Sequence, residues 1–297
     1  MGIADIVPGV SGGTIAFILG IYDEFIFSLS KISVSSLIKL KNQGFLVFWN
    51  EINGAFLLKL FSGILTGVST FTYLIDWLIT NRPIPLWAFF IGLLLSSSLF
   101  IFKKIINPNI NLLLFFIFGI LISFTITQIN PNSENDSISG PYLFLSSLIA
   151  ISAMILPGIS GAYILILFGT YSEVISTIKG FLIILLKQDF NNLNIILYKI
   201  SIIGFGIISG ILIFSKFFKW LIVKYHDKTL VFMIGLMLGG ISKIWPWQQN
   251  EESVLPHNYS GEKEILLSLF FFILGILLIL GIQFIETKKY NNVKKNQ

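Results

Sequence analysis

The chain has 297 residues, of which 55% are hydrophobic and 12% charged, whereas roughly a quarter of the residues in a soluble domain are charged. This composition excludes an ordinary soluble domain and predicts an all-α polytopic membrane protein. The net charge of +5 comes without the aromatic-interleaved basic surface that nucleic-acid binding requires, so we expect no nucleic-acid partner. Because the chain has no cysteine and only two histidines, we also predict no metal and no cofactor.

The first apolar segment is interrupted by the string VPGVSGGT, at residues 7–14. Proline lacks the N–H that a helix needs and glycine carries a high helix penalty, so no helix continues through Pro8 and Gly9. Non-helical backbone at membrane depth normally lines a cavity. We therefore expect a helix to restart after Ser11, with unpaired N–H groups and its positive dipole end available to an anion.

Three apolar runs long enough to cross a membrane follow, at 54–79, 86–106 and 112–129. The segment 31–49 between the motif and these runs is predicted to be an amphipathic helix along the membrane. We assign residues 1–130 to a first repeat, whose N-terminal arm looks short because few residues precede Pro8.

The interrupted motif occurs again half a chain later, as LPGISGAY at residues 156–163. Apolar runs then follow at 196–222, 230–245 and 265–285. Residues outside the motif also pair between the halves: Gly20 with Gly169, Tyr22 with Tyr171, Glu24 with Glu173, Gly63 with Gly206, Gly67 with Gly210, Phe89 with Phe232, Gly92 with Gly235, Phe116 with Phe272, and Gly119 with Gly275. The sequence thus predicts a second repeat at 141–287, followed by a basic tail at 288–297.

Lysine placement predicts the orientation, because basic residues in short loops stay on the cytoplasmic side. The lysines of 31–41, 103–104, 224–228 and the tail are therefore assigned inside, and the acidic loops near 134–136 and 251–264 outside. On this assignment 54–79 runs outward and 196–222 runs inward. We predict two inverted-topology repeats, each with a broken or re-entrant hairpin and three transmembrane helices, and a cytoplasmic C-terminus.

The two motifs are the candidate substrate site, and its expected ligand is a phosphate or a carboxylate. The candidate binding residues are Pro8, Gly9, Ser11, Gly12, Gly13, Thr14, Pro157, Gly158, Ser160 and Gly161. The alternative is that these residues only form helix kinks and small-residue packing seams.

Three acidic residues near the motifs, Asp5, Glu24 and Glu173, are candidates for coupling transport to protons or sodium. The alternative for the last two is an interfacial position at the ends of the hairpins. Neither motif contains a basic residue. Lys59 and Lys199 either reach toward the site or extend to the membrane interface.

The string ADIVPGVSGGTIAFILGIYDEFI, with its echo LPGISGAYILILFGTYSEVI, resembles a bacterial membrane family linked to polyprenyl-phosphate transport and called PopT-type. The resemblance covers essentially the whole chain. It implies translocation of undecaprenyl phosphate from the outer to the cytoplasmic leaflet of the bacterial inner membrane, with the lipid as partner. By the same resemblance, Asp5 and the motif residues from Pro8 to Gly13 and from Pro157 to Gly161 fall in the family motif.

Two rival functions remain open from the residues. One is an ion-coupled transporter or channel for a small anion that uses the same dipole site. The other is an intramembrane lipid phosphatase, but acid–base and nucleophilic groups are scarce near the motifs, so we predict that the protein is not an enzyme. The sequence carries no signal for an oligomeric state.

Overall fold

The computed structural model describes residues 1–5, 11–128, 138–157, 159–187, 193–249 and 252–295. Almost all of them are helical. The helices are α1 Gly2–Asp5, α2 Gly12–Ile18, α3 Tyr22–Lys31, α4 Val34–Gln43, α5 Phe45–Glu51, α6 Gly54–Asn81, α7 Pro83–Phe102, α8 Leu112–Gln128, α9 Gly140–Ile155, α10 Gly161–Leu167, α11 Tyr171–Lys187, α12 Leu193–Lys224, α13 His226–Gly239 and α14 Ile265–Lys295. A 3₁₀ helix, Gly240–Ile244, and a hairpin of two short strands, β1 Gln248–Gln249 and β2 Glu252–Ser253, precede α14.

Among the described residues, four helices are long and apolar enough to cross a membrane. Their apolar spans are Gly54–Phe71 of α6, Pro83–Phe102, Leu193–Lys224 and Ile265–Ile282 of α14. Two shorter apolar helices are Leu112–Ile126 and Gly140–Ile155. The prediction of an all-α membrane protein is confirmed.

Two predicted elements have different bounds in the structure. The run predicted at 230–245 is α-helical only to Gly239 and continues as a 3₁₀ helix to Ile244, because two consecutive glycines weaken the α-helix there and Pro246 prevents its continuation. The predicted amphipathic helix at 31–49 is two helices, α4 and α5. Gly44 separates them with a φ of 89°, a conformation that suits glycine.

The helix that follows each motif ends in the same way. Gly20 after α2 and Gly169 after α10 have φ values of 68° and 63°. In each case the glycine N–H and the next N–H donate to carbonyls of the preceding turn, which is the Schellman arrangement. Residues that the sequence pairs between the two halves therefore share one backbone conformation.

Helix α7 packs closely on α14. A Cβ atom at Gly92 would overlap the carbonyl oxygen of Phe272, and a Cβ atom at Gly275 would overlap that of Phe89. Such contact between backbones requires small residues, which membrane helices use at their packing seams. We call this contact the α7–α14 seam.

Helix α8 packs on α13 through the equivalent residues. A Cβ atom at Gly119 would overlap the carbonyl oxygen of Phe232, and a Cβ atom at Gly235 would overlap that of Phe116. We call this contact the α8–α13 seam. In both seams one helix comes from the first half of the chain and the other from the second half.

Polar contacts at the helix ends show how these helices are directed. Arg82, which precedes α7, forms an ion pair with Glu264, which precedes α14. Asp227, at the start of α13, accepts hydrogen bonds from the backbone N–H groups of Ile106 (3.1 Å) and Asn107 (2.7 Å) in the loop after α7. Helices α7 and α14 therefore begin at the same end, and α13 begins where α7 ends.

Asp227 provides a first prediction, on stability. Burial acts to raise its pKa, but hydrogen bonds from His226 and the backbone of Ile106 and Asn107 outweigh it and lower the pKa below its usual value. A carboxyl whose pKa is lowered by folding adds stability above its unfolded pKa of about 4. That contribution is lost as the pH falls through the folded pKa.

We therefore expect Asp227→Asn to destabilise the protein by about 1 kcal/mol at neutral pH, a value that allows for solvent screening. The difference from wild type should shrink as the pH falls below about 4. Melting curves of the two proteins at neutral and acidic pH test this, with Asp23→Asn, at an exposed position of α3, as the control. A difference that does not change with pH contradicts the prediction.

Candidate functional site

A cavity of about 570 Å³ lies where the two motif regions meet. Asp5 and Ser11 line it from the first motif, and Ser160 and Gly161 from the second. The remaining lining is mostly aliphatic: Val68, Ala150, Ile151, Met154, Ala162, Leu165, Val174, Ile175, Ile178, Ile203 and Ile207, with Ser147 and Tyr171. The cavity therefore combines a few polar groups with long apolar walls.

A larger cavity, of about 740 Å³, lies between α7, α8 and α13. The described residues that line it carry no charge and include only two polar side chains, Ser98 and Asn109. Despite its size, its described lining has few groups that could bind a charged or polar ligand. We therefore take the smaller cavity between the motifs, hereafter the motif cavity, as the candidate site.

Ser11 binds the first motif to the second half of the chain. It is buried and precedes α2 in an extended conformation, and its hydroxyl oxygen accepts a hydrogen bond from the Gly13 N–H at 3.1 Å. The same hydroxyl lies within donating distance, 3.2 Å, of the carbonyl oxygens of Met154 and Leu156. These carbonyls belong to the end of α9, where helical partners are missing. One serine thus caps the start of one helix and the end of another.

Asp5 caps the same helix from the other side. Its carboxylate accepts a hydrogen bond from the Gly12 N–H at 2.6 Å, and the Thr14 N–H donates to the Ser11 carbonyl at 3.0 Å. The first-turn N–H groups of α2 were expected to be free for an anion. That expectation is wrong for Gly12, Gly13 and Thr14, because acceptors within the motif region already bind them.

The backbones of the two motif regions touch at Gly13. A Cβ atom there would lie 2.8 Å from the carbonyl oxygen of Ile155 and 3.3 Å from that of Met154, closer than ordinary contact. The buried hydroxyl of Tyr22 donates to the same Ile155 carbonyl at 3.0 Å. The end of α9 is therefore fixed by Ser11, Gly13 and Tyr22 together.

The second motif is open to the motif cavity. Pro157 is buried just after α9, and Ser160 precedes α10 without capping it through its side chain. Gly161 packs on α9, since a Cβ atom there would lie 2.7 Å from the Ala150 carbonyl oxygen. The Ser160 side chain thus has no capping role like that of Ser11, although both serines line the cavity.

The remaining predicted site residues are dispersed. Pro8, Gly9 and Gly158 lie outside the described residues. Thr14 is buried but is not among the residues that line the cavity. Glu24 is exposed, accepts a hydrogen bond from the Asn53 amide at 2.8 Å and is not among the described residues that line the cavity. Of the three candidate acidic residues, Asp5 alone is among the described cavity residues.

Two polar cavity residues were not predicted as site residues. Ser147 is buried in α9 and its hydroxyl donates to the Leu143 carbonyl at 2.8 Å. Tyr171 begins α11 and was noted only as the repeat partner of Tyr22. A serine within an apolar helix is a usable signal, but the sequence does not show which face of α9 meets the cavity.

Membrane helices that break around a partly polar cavity are typical of transporters. The chain belongs to the VCA0040-like, undecaprenyl phosphate translocase-like family, whose model matches residues 1–264. It is 42% identical over 268 residues to a protein of Vibrio cholerae named polyprenyl-phosphate transporter, covering 90% of this chain and 81% of that protein. A Staphylococcus aureus protein of the same name is 31% identical over 257 residues, covering 83% of each chain. No solved structure is significantly similar.

Proposed function

We propose that this protein carries undecaprenyl phosphate across the bacterial inner membrane, so that the lipid carrier is recycled to the cytoplasmic leaflet. The family description and the names of both relatives support this substrate class. We place the phosphate headgroup in the motif cavity. The protein acts in this proposal as a transporter without chemistry on its substrate.

The observation that carries the proposal is the mixed lining of the motif cavity. Ser11, Ser147 and Ser160 bring hydroxyl groups to a space walled mostly by aliphatic side chains. The Ser11 and Ser147 hydroxyls donate to backbone carbonyls in this structure, so each would have to turn from its carbonyl to donate to a phosphate oxygen, whereas Ser160 makes no capping hydrogen bond to α10. Burial of a phosphate without hydrogen-bond donors would be costly. The aliphatic walls suit the first isoprene units of the lipid.

We propose Asp5 as the coupling residue. Its carboxylate lines the motif cavity, where it would repel a phosphate unless a proton or a sodium ion neutralised it. Such neutralisation would link entry of the headgroup to the ion gradient. Glu24, which is exposed, and Glu173, which is ion-paired, are weaker candidates in the structure.

We further propose that the two halves have inverted topology, with the C-terminus in the cytoplasm. The helix-end contacts support this, because α7 and its repeat partner α13 begin at opposite ends. Inverted repeats supply two related conformations that open a central site to either side in turn. The lysine distribution supports the assignment of sides.

The test is leaflet-resolved transport of labelled undecaprenyl phosphate in liposomes that contain the purified protein. We expect Ser11→Ala with Ser160→Ala to slow transport about thirtyfold, since each lost hydroxyl contributes about 1 kcal/mol. The control is Ser35→Ala with Ser201→Ala, two exposed serines on α4 and α12. It should transport like wild type.

Folded wild-type protein that moves no lipid under a proton or a sodium gradient would overturn the proposal. Flux of a soluble anion that needs no lipid would instead support the small-anion transporter. Equal transport under both gradients and under none would reject only the coupling through Asp5.

A further inference from the structure

An ion pair lies between α11 and α12, beside the motif cavity. The Nζ atom of Lys199 contacts the Oε1 atom of Glu173. The two side chains are 35% and 24% exposed, so the pair is reachable but partly withdrawn from the surroundings. The transport proposed above gives this pair no role.

The pair stands at the rim of the motif cavity. Residues Lys199, Ile203 and Ile207 are four apart in sequence, so they share one face of α12, and the two isoleucines line the cavity. Lys199 is therefore one helical turn beyond the lining. On α11, Glu173 directly precedes Val174, another lining residue.

The described lining of the cavity carries no positive charge. None of the described residues that line it is basic, and Asp5 adds a carboxylate. A phosphate held by hydroxyls alone would leave much of its charge uncompensated. Lys199 is in position to supply this charge at the rim.

Lys199 already has a carboxylate partner. The Glu173 Oε1 atom that it contacts is buried, so the carboxylate and the ammonium group compensate each other's charge. A phosphomonoester offers three acceptor oxygens and more than one negative charge at neutral pH. It would therefore compete well with a carboxylate for the ammonium group.

We propose that Lys199 captures the phosphomonoester headgroup at the rim of the motif cavity, and that Glu173 holds Lys199 until the phosphate takes its place. Glu173 thus acts as an internal competitor that is released when substrate binds. This inference rests on the proposed function, because it supplies the charge that a lipid phosphate would need at the proposed site.

The test is equilibrium binding of undecaprenyl phosphate to the purified full-length protein in nanodiscs. We expect Lys199→Met to weaken binding about tenfold, the size of one lost charge-assisted contact. We expect Glu173→Gln to strengthen binding about threefold or more, because the competitor loses its charge. Lys199→Arg should stay near wild type.

The opposite directions distinguish this role from a structural one. If the pair only joined α11 to α12, both neutral variants would weaken binding, and that result would overturn the inference. If Lys199→Met fails to fold, Glu173→Gln still distinguishes the two roles, because tighter binding supports the inference and weaker binding contradicts it. The matched control is the Lys39–Glu51 ion pair between α4 and α5, at 2.8 Å and apart from the cavity lining. Neither Lys39→Met nor Glu51→Gln should change binding.

Two further probes identify the ligand chemistry. The unphosphorylated polyprenol should bind equally to wild type and Lys199→Met, because it lacks the group that the lysine contacts. If binding of inorganic phosphate depended on Lys199 while binding of the lipid did not, the lysine would recognise free phosphate, and the lipid headgroup assignment would be overturned. If the wild type bound and moved the lipid and the variants bound it equally well, this inference alone would be rejected. If the wild type neither bound nor moved the lipid, the proposed function would be rejected.

Discussion

Gly275→Leu is expected to lower the free energy of unfolding by about 3 kcal/mol, the upper range for an overpacked interior site. The added side chain has no room, because its Cβ atom would already overlap the Phe89 carbonyl oxygen in the α7–α14 seam. Backbone cannot move aside as the end of a flexible side chain can. Denaturant unfolding of the purified protein in detergent micelles measures the change.

The matched control lies in the same helix. Gly281 of α14 has no described atom within 4 Å of the position that a Cβ atom would take, so Gly281→Leu should cost little. Gly119→Leu should resemble Gly275→Leu, since it occupies the equivalent place in the α8–α13 seam. If Gly275→Leu and Gly281→Leu lowered the free energy of unfolding equally, close backbone packing would not be the reason that the seam requires glycine.

Gly13→Leu is expected to reduce transport of undecaprenyl phosphate about a hundredfold. Its side chain would push α2 away from the Ile155 and Met154 carbonyls and so separate the two motif regions. The Ser11 hydroxyl would then lose its contacts across to the end of α9. Leaflet-resolved transport, normalised to monodisperse protein, reports this loss.

A second glycine provides the comparison for transport. Gly63 of α6 has open space where a side chain would begin, so Gly63→Leu should leave transport close to wild type. Gly13→Ala should fall between the two, because even a methyl group meets the Ile155 carbonyl at 2.8 Å. Transport by Gly13→Leu at the wild-type rate would mean that contact between the motif regions is not needed.

Local features of the sequence predicted much of the architecture. Four of the six apolar runs correspond to described helices long enough to cross a membrane, whereas α8 and α13 are shorter than the runs at 112–129 and 230–245 predicted. The early end of α13 at Gly239 and Gly240 was also readable from glycine's low helix propensity, although the prediction extended the run to Trp245. The motif serines Ser11 and Ser160 both line the cavity between the motif regions.

Contacts between distant segments could not be read in this way. The sequence predicts a free Gly12 N–H, whereas this group donates to the Asp5 carboxylate, a contact that no local pattern indicates. The pairing of Glu173 with Lys199 likewise depends on how α11 packs on α12. One sequence shows that a helix is apolar, but not which neighbour each of its faces meets.

Each seam joins a helix of the first half to a helix of the second half, and this has a consequence for how the protein is assembled in the membrane. Helices α7 and α8 are synthesised early, but the backbones that their glycines contact belong to α14 and α13, which leave the ribosome last. The first half therefore enters the membrane with both of its seam surfaces facing lipid, and it cannot complete its packing alone. Neither seam can therefore close before the helices of the second half have entered the membrane.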